Sequence, residues 1–506
     1  MAEAEYDAIV IGAGHNGLVA AAYLAQGGAR VAVLEKSAAI GGAARCEETW
    51  PGYTVSTASY VCSLFDPVIV RELELEKHGF SAYRKEPASF TPLLDGRSLL
   101  LGSDATANAE EIGRFSESDI DGFEAFAESA EALGTELFDH LDDDDPRLDA
   151  LDATTRELFD LPVSAYVEQF VETPLLQATL ATDGLIGTYA GPRDPGTTYV
   201  LAHHYAGRVL GEQGAWGFVR GGMGALSAAV ASAARSAGVD VHSGAEVTRI
   251  ARNGRMEAQC ADGRAFGARA ILSNADPKTT FLDLCASNEF ESTFLERVRA
   301  WRAEGVSFKI NLALGGLPDF TARPGTNLQP HHKATIHVAP DVDYLQRAHD
   351  DARSRGASRA PMLECFMQTP TDDSLAPQGK HILSIFAQYF PYSTAVRWSA
   401  NEKRAVVRTI IETLGQYAPN LLDLIEDWDI LSPADIEARI GISGGHIFHG
   451  ELLPGQIFED RFNVRTPFGG LYLCGSGTHP GGCVTGFPGR RAARAVLSDL
   501  KTAVSR

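Results

Sequence analysis

Residues 6–36 constrain the fold of this chain more than any other stretch. They open with a short apolar run at residues 8–11, typical of a buried parallel strand. Three glycines in G-x-G-x-x-G spacing follow, then an alanine-rich helical segment at residues 18–26 and a second strand at residues 30–34. This order predicts a βαβ unit whose helix N-terminus faces a phosphate.

Each glycine of that motif has its own physical role. Gly12 makes the tight turn, Gly14 lets the backbone approach a pyrophosphate, and Gly17 lets the helix pack closely on the strand. Glu35 follows the second strand, where its carboxylate can accept hydrogen bonds from ribose hydroxyls and would repel a 2′-phosphate. The alternative is a glycine-rich turn of another α/β protein, but the placement of the acid favours a dinucleotide site.

A second glycine pair follows at once, in "KSAAIGGAARCEE". Gly41, Gly42 and Arg45 suit a second approach to the same pyrophosphate, which a large, deeply held dinucleotide needs and a plain NAD dehydrogenase does not. Here the sequence resembles FAD proteins of the glutathione-reductase type, whose motif in this chain is completed by Glu35 and Lys36. The resemblance implies FAD as the cofactor.

The formal net charge of −22 narrows the range of partners. It argues against a nucleic-acid binder, which usually carries a basic surface, and against broad polybasic contact with an anionic membrane. No apolar run reaches the roughly 18 residues that span a bilayer, and the acidic N-terminus is unlike a signal or transit peptide. We expect a cytoplasmic protein, with peripheral membrane contact through a local apolar patch left open.

The cysteines and the missing second nucleotide motif exclude one class of flavoprotein. The seven cysteines are scattered without a C-x-x-C pair, which predicts free thiols in a reducing compartment. No second strand–GxGxxG–helix unit, as an NADPH domain would require, is recognised further along the chain. A flavin disulfide reductase needs a close cysteine pair, so we expect reoxidation by oxygen, a quinone or the substrate rather than disulfide or NADPH chemistry.

The middle of the chain is predicted to return to the first sheet and to build a second domain. Residues 221–272 contain, in order, a helix to residue 237, a strand at 239–242, a meander at 245–252, 255–260 and 265–268, and an apolar strand at 270–272. The sequence therefore predicts an α/β fold with a Rossmann-like FAD domain and a mixed-sheet and helical substrate domain. The predicted bounds are residues 1–64, 216–284 and 441–506 for the FAD domain, and residues 65–215 and 285–440 for the substrate domain.

The C-terminal stretch "LYLCGSGTHPGGCVTGFPGRRAARAV" combines two cysteines, a histidine and six glycines. A zinc site would need a fourth ligand and tighter cysteine spacing, so no metal site is predicted. Cys474 suits a buried strand, and residues 475–482 are interpreted as a backbone loop against the flavin. A helix is predicted to begin at Val484, with its N-terminus toward the flavin. The cofactor contacts expected here come from Gly475, Ser476, Gly482 and Val484.

Six stretches together resemble the phytoene desaturase-like flavoproteins, with most similarity to the branch called pyridine nucleotide-disulfide oxidoreductase domain-containing protein 2. They are "VIGAGHNGLVAAAYLA", "ATDGLIGTYAGPRDPGTTYVLAHHYAG", "GAWGFVRGGMGALSAA", "AILSNADP", "GGHIFHGEL" and "LYLCGSGTHPGGCVTGFPGRRAA". The resemblance implies a two-domain flavoprotein of glutathione-reductase/amine-oxidase type with noncovalent FAD. It also implies that Val247 contacts the adenine end through its backbone. Many such proteins bind the ribityl chain with an aspartate where this chain has Ser476.

The resemblance further implies an apolar substrate, with isoprenoids and polyenes as examples, that passes a hydride to flavin N5 while a proton leaves the neighbouring carbon. A ketolase, isomerase or saturase reaction, an amine oxidase, and a flavin-binding protein with little turnover remain alternatives. The electron acceptor and the oligomeric state stay open. Among possible bases, His204, His449 and His479 are the candidates, and none is assigned. His446, His449 and Glu451 could be read as metal ligands, but a structural loop is favoured.

Overall fold

The structure, a computed structural model, describes residues 6–252 and 254–504, with side chains described to residue 501. The strands are β1 (Tyr6–Ile11), β2 (Val31–Glu35), β3 (Cys46–Trp50), β4 (Tyr53–Ser56), β5 (Ala82–Arg84), β6 (Ser89–Pro92), β7 (Ser98–Leu101), β8 (Gly217–Val219), β9 (Asp240–Ser243), β10 (Val247–Arg252), β11 (Met256–Cys260), β12 (Ala265–Ser273), β13 (Ser307–Leu314), β14 (Thr335–Val338), β15 (Met362–Phe366), β16 (His381–Gln388), β17 (Ile425–Leu431) and β18 (Leu471–Leu473).

The helices are α1 (His15–Gln26), α2 (Pro67–Glu72), α3 (Ala105–Gly113), α4 (Ser118–His140), α5 (Ala153–Phe159), α6 (Val163–Val167), α7 (Pro174–Ala181), α8 (Thr197–Tyr205), α9 (Met223–Ser236), α10 (Ser292–Ala300), α11 (Val342–Arg355), α12 (Tyr392–Ala395), α13 (Ala400–Gly415), α14 (Leu421–Leu424), α15 (Pro433–Ile440) and α16 (Phe487–Val504). Across the described ranges, none of them combines the length and the apolar character needed to cross a membrane.

The first sheet has the strand order β10-β11-β12-β1-β2-β9, and β18 also pairs with β12. Strands β12, β1, β2, β9 and β18 run parallel, while β10, β11 and the start of β12 form the antiparallel meander that the sequence predicts. Apolar residues of α1, α9 and α16 join β1 and β2 in one buried core. The predicted βαβ unit and the α/β class are confirmed.

One strand of this sheet differs from the prediction. The segments at 265–268 and 270–272 were expected as two strands, but they form the single strand β12. Its first half pairs with β11 and its second half with β18, while β1 pairs along the other side. Arg269, the one exposed residue of β12, interrupts the apolar pattern without interrupting the backbone ladder.

The second sheet has the strand order β17-β13-β16-β15-β14-β6-β7 and is antiparallel except between β14 and β6. Alternate residues of β13 point to opposite faces. Phe308, Ile310 and Leu312 pack with α13 on one face. Lys309 and Asn311 therefore lie on the opposite face of the second sheet, away from α13.

The strands of each large sheet come from within one of the two predicted domains, but the domain bounds themselves stay a prediction. Strands of the first sheet come from residues 6–35, 240–273 and 471–473, whereas strands of the second come from residues 89–101 and 307–431. The small sheet of β5 and β8 joins a strand on each side of the predicted boundary at residues 215 and 216.

Gly17→Ala is expected to destabilise the fold, because a Cβ at Gly17 would overlap the carbonyl oxygen of Gly12. The Gly12 oxygen is a backbone atom and the position of the Cβ is fixed by the Gly17 backbone, so neither can rotate away. We therefore expect a loss of about 1–3 kcal/mol in the free energy of unfolding. Gly415→Ala is the matched control, since a Cβ there meets nothing within 4 Å. Equal urea midpoints for the two variants would contradict the close-packing role of Gly17.

Candidate cofactor and active site

A cavity of about 430 Å³ lies at the carboxyl ends of β1 and β2. We call it the nucleotide cavity. Its walls bring together most of the cofactor residues that the sequence predicts: Gly12, Gly14, Glu35, Lys36, Gly42, Arg45, Val247 and Ser476. These residues are separated by up to 464 positions in the chain, so their convergence depends on the tertiary fold.

Glu35 is held in place by backbone donors from two loops. The Ala13 N–H donates to Glu35 Oε2 at 2.7 Å, and the Ser37 N–H donates to Oε1 at 2.8 Å. Each carboxylate oxygen has a second lone pair, which leaves acceptor capacity for ribose hydroxyls. The carboxylate is thus positioned before any ligand arrives.

The glycines of the second pair pack against the first glycine loop. The Gly41 N–H donates to the Ala13 carbonyl at 2.8 Å, and Gly14 and Gly41 form an isolated bridge. A Cβ on Gly42 would lie 3.3 Å from the Cα of Gly14. The loop at Gly12 and Gly14 and the loop at Gly41 and Gly42 are therefore in close backbone contact. This contact lets N–H groups of both loops face the same ligand.

Unpartnered polar atoms on the walls of the nucleotide cavity match a polar ligand. His15 Nε2, Asn16 Oδ1, Arg45 Nε and His449 Nδ1 are buried without a hydrogen-bond partner among the described residues. Such atoms are costly unless a ligand or water satisfies them. A guanidinium, an amide and imidazoles beside a helix N-terminus fit the phosphates and hydroxyls of FAD.

A second cavity of about 140 Å³ adjoins the first, and we call it the apolar cavity. The two share His15, Ala43, Ile440, Ile442, His449 and Ser476 as wall residues. The apolar cavity also contains the predicted residues Gly482, Val484 and His204, and its other walls are largely aliphatic and aromatic: Tyr60, Ile186, Trp216, Phe386, Ile436, Ile447 and Phe448.

Strained backbone is concentrated around the apolar cavity. Cys483, Val484 and His449 have φ values of 70°, 57° and 57°, in the left-handed region that side chains rarely adopt. The helix expected to begin at Val484 begins instead at Phe487, because these positive φ values are incompatible with helix. Strain of this kind collects at ligand sites.

Three predicted cofactor residues, Gly17, Gly41 and Gly475, support the cavities without lining either of them. Gly17 packs against Gly12 behind the nucleotide cavity, and a Cβ on Gly475 would lie 2.8 Å from the Asn274 carbonyl oxygen. Cys474 is fully buried in the core of the first sheet, as expected. Gly41 acts through its hydrogen bond to Ala13.

The structure places His479 outside the walls of both cavities. Its Nε2 lies 2.9 Å from the His140 carbonyl oxygen, its ring packs on Phe458, and Arg491 donates to its carbonyl at 2.8 Å. Burial lowers the pKa of His479 well below its usual range. His479 therefore joins the loop at residues 475–482 to the end of α4, and we do not propose it as a base.

His204 lies in the apolar cavity with a defined tautomer. Its Nδ1 is 2.8 Å from the Asp183 carbonyl oxygen and 2.9 Å from that of Val200, so Nδ1 carries the hydrogen. The other nitrogen, Nε2, faces Cys483 Sγ at 3.5 Å. Burial lowers the pKa of His204 to about 4, which makes it a weak base. Its neighbour His203 does not line the apolar cavity.

His449, like His15, lines both cavities. Burial lowers its pKa to about 4. Nearby, His446 Nε2 lies 3.3 Å from Glu451 Oε1, and Glu451 accepts hydrogen bonds from Thr188 and Tyr189. Within the described ranges, no group of three or more metal-ligating side chains is placed to hold an ion.

Lys309 is the functional candidate that the sequence analysis missed. It lies in the apolar cavity, 2% exposed, with Nζ 4.5 Å from the ring centres of Tyr60 and Phe366 and no hydrogen-bond partner among the described residues. Burial lowers its pKa to about 7. The one feature of the sequence that could have identified it is a single lysine inside the otherwise apolar strand "SFKINLALG".

Comparison with known proteins places this site in a family. The family model described as flavin containing amine oxidoreductase matches residues 17–297. The pyridine nucleotide-disulfide oxidoreductase domain-containing protein 2 of Mus musculus is 40% identical, over 98% of this chain and 94% of its own. The lycopene-forming phytoene desaturase of Pantoea ananas is 26% identical, over 97% and 99%.

The same fold is found in a solved structure. Cyclohexylamine oxidase from Brevibacterium oxydans superposes with a TM-score of 0.61 at 17% identity, over 98% of this chain and 100% of its own. The predicted amine-oxidase type of fold and the resemblance to phytoene desaturase-like flavoproteins are confirmed. The chain belongs to the flavin-containing amine oxidoreductase family and is an FAD-dependent oxidoreductase.

Proposed function

We propose that this enzyme is a dehydrogenase or desaturase that takes a hydride from a C–H bond of an apolar substrate. The observation that carries the proposal is the apolar cavity beside the nucleotide cavity, in which Lys309 is a buried, unpartnered amine. Bound FAD would supply the hydride acceptor, its N5 atom. The protein would supply positioning, exclusion of water, and a proton acceptor.

The residues of the nucleotide cavity are proposed to hold FAD in an extended arrangement. Gly12, Gly14 and the N-terminus of α1 would bind the pyrophosphate, Glu35 the adenosine ribose, and Val247 the adenine end. Ser476 would meet the ribityl chain, since its side chain lies at the junction of the two cavities. The isoalloxazine would then lie along Gly482 and Val484.

The substrate is proposed to be apolar because few polar groups reach the apolar cavity. Its aliphatic and aromatic walls would bind a hydrocarbon chain by burial of apolar surface. The Pantoea relative, a phytoene desaturase by name, supports the same class. A cytoplasmic location, with or without peripheral contact at a membrane that stores such substrates, stays a prediction.

Lys309 is proposed as the base that accepts the proton from the carbon next to the hydride donor. Its pKa of about 7, lowered by burial, leaves much of the amine neutral at physiological pH. The neutral fraction grows as pH rises through 7, so substrate-dependent flavin reduction should grow with it. His204 has a lower pKa, of about 4, and is the poorer proton acceptor.

Amine oxidation is a second candidate, because four aromatic side chains line the apolar cavity: Tyr60, Trp216, Phe386 and Phe448. Aromatic walls beside a flavin suit a substrate amine in its neutral form as well as an alkene. The two candidates differ in which substrates reduce the flavin.

The experiment that tests the proposal is anaerobic mixing of the holoenzyme with panels of polyenes, retinoids, aromatic alkenes and primary amines. Bleaching of the flavin band at about 450 nm by members of the first three panels is expected. Bleaching by amines alone would favour amine oxidation. No bleaching by any panel, together with a stable protein complex, would favour a flavin-binding protein with little turnover.

Lys309→Met is expected to slow substrate-dependent flavin reduction by about 10²-fold or more, because the proton acceptor is lost while the volume is kept. The increase in rate between pH 6 and 8 should disappear with it. Lys380→Met is the control, since Lys380 pairs with Glu426 away from both cavities. Stopped-flow absorbance gives both rates, and an unchanged pH profile in Lys309→Met would exclude this base.

Gly14→Val is expected to abolish FAD retention during purification, because the new side chain would occupy the pyrophosphate path. A Cβ at Gly14 already lies 2.8 Å from Asn274 Nδ2. Gly316→Val is the matched control, with its nearest neighbour at 3.5 Å. Flavin-to-protein absorbance ratios measure retention, and a yellow Gly14→Val protein would contradict the placement of the cofactor.

A further inference from the structure

A row of aligned side chains crosses the second sheet on the face of the apolar cavity. Lys309 on β13 pairs with Phe386 on β16, Phe386 pairs with Glu364 on β15, and Glu364 pairs with His337 on β14. Residues that pair directly across strands share a face of the sheet. Lys309 and Glu364 are therefore on one face, two strand spacings or about 10 Å apart at the backbone.

This row passes beneath two adjoining cavities. Lys309 and Phe386 line the apolar cavity, whereas Glu364 and His337 line another cavity of about 260 Å³. We call the latter the polar cavity. Trp216 lines both, so its indole is part of the wall between them. Residues of the polar cavity include solvent-exposed positions such as Glu86 and Ser103, which connect it to the surface.

Tyr60 links Lys309 to Glu364 within this row. Its ring centre lies 4.5 Å from Lys309 Nζ, and its hydroxyl donates to Glu364 Oε1 at 2.5 Å. The other carboxylate oxygen, Glu364 Oε2, is buried without a hydrogen-bond partner among the described residues. Glu364 therefore has one oxygen held in place and one free to take a proton or a water.

The polar cavity gathers further groups that exchange protons near neutral pH. Lys85 donates to Thr335 Oγ1 and lies over the Trp216 ring at 5.3 Å. Burial lowers the pKa of Lys85 to about 8 and raises that of Asp183 to about 7, and both interact electrostatically with Glu364. Burial also raises the pKa of Glu364 above its usual range.

We propose that Glu364, with Asp183 and Lys85, is a proton path that connects Lys309 to the polar cavity and thence to solvent. The inference rests on the proposed function, in which Lys309 takes a proton from the substrate. The Lys309 ammonium gives up one N–H proton, the Glu364 carboxylate gains it as O–H, and the polar-cavity groups then release it to water. No other bond changes and no electron moves. One water between Nζ and Oε2 completes the first step.

Glu364 is a better proton acceptor than the other titratable groups that face Lys309. Burial lowers the pKa of His15 to about 3 and of His204 and His449 to about 4. Tyr60 and Cys483 keep their protons, because burial raises the pKa of each. Without Glu364, Lys309 would remain protonated after one turnover.

The first test needs no substrate. The visible spectrum of the oxidised holoenzyme is titrated from pH 5 to 10, with Lys309→Met, Glu364→Gln and Glu111→Gln beside the unmodified protein. A spectral step near pH 7 is expected, lost in Lys309→Met, because an ammonium beside the flavin perturbs its absorbance. The step should move to lower pH in Glu364→Gln, since the carboxylate that favours the ammonium is gone.

Glu111→Gln is the matched control, because Glu111 is another buried carboxylate and pairs with Arg323 outside the three cavities. Its titration should match that of the unmodified protein. The coupling between Lys309 and Glu364 would be overturned if the spectral step of Glu364→Gln occurred at the same pH as that of the unmodified protein. It would also be overturned if the unmodified protein showed no spectral step. These outcomes do not depend on whether the substrate panels succeed.

The second test separates proton transfer from structure, with whichever substrate bleaches the flavin. At pH 9, where Lys309 starts neutral, single-turnover flavin reduction by Glu364→Gln should stay within about twofold of the unmodified enzyme. Steady-state turnover at pH 7 should fall by about tenfold or more, show a larger solvent isotope effect, and recover with added imidazole. Equal slowing of both rates without rescue would identify Glu364 as structural and overturn the path.

Discussion

The contact between α1 and β1 at Gly12 and Gly17 is the constraint on which the rest of the site depends. It lets the helix begin directly over the carboxyl end of the central strand, where its unsatisfied N–H groups point outward. Every other part of the nucleotide cavity is arranged around that point. Gly42 packs on Gly14, the Ala13 amide holds Glu35, and Asn274 from β12's end closes the floor.

The two large sheets divide the chemistry between them. The first sheet presents backbone amides and a fixed carboxylate, which suit a polar dinucleotide. The second presents one face to an apolar core with α13 and the opposite face to the cavities. That second face carries Lys309 and Glu364, two buried charges that would be costly in an inert core. Their placement beside an apolar pocket gives them a proton-transfer role in the proposed mechanism.

Ion pairs join helix α16 to the acidic run that follows α4. Arg490 and Arg494 both pair with Asp142, and Arg494 also pairs with Asp144. His479 binds the end of α4. His479 thus anchors the chain before the strained segment at Cys483 and Val484, and the arginines of α16 anchor it after that segment. These contacts hold the two residues at positive φ values that a free chain would rarely adopt.

The sequence by itself determined the nucleotide half of this protein, because a local motif of turn, helix and acid carries its own geometry. Gly12, Gly14, Gly17 and Glu35 could be predicted with their roles, and most elements of the first sheet followed. The tertiary structure decided the rest. Lys309 and Glu364 share one face of the second sheet only through strand register across β13, β16 and β15. Helix α16 begins after Val484 because the packed loop imposes positive φ values. Register and loop strain depend on distant partners, which no local pattern encodes.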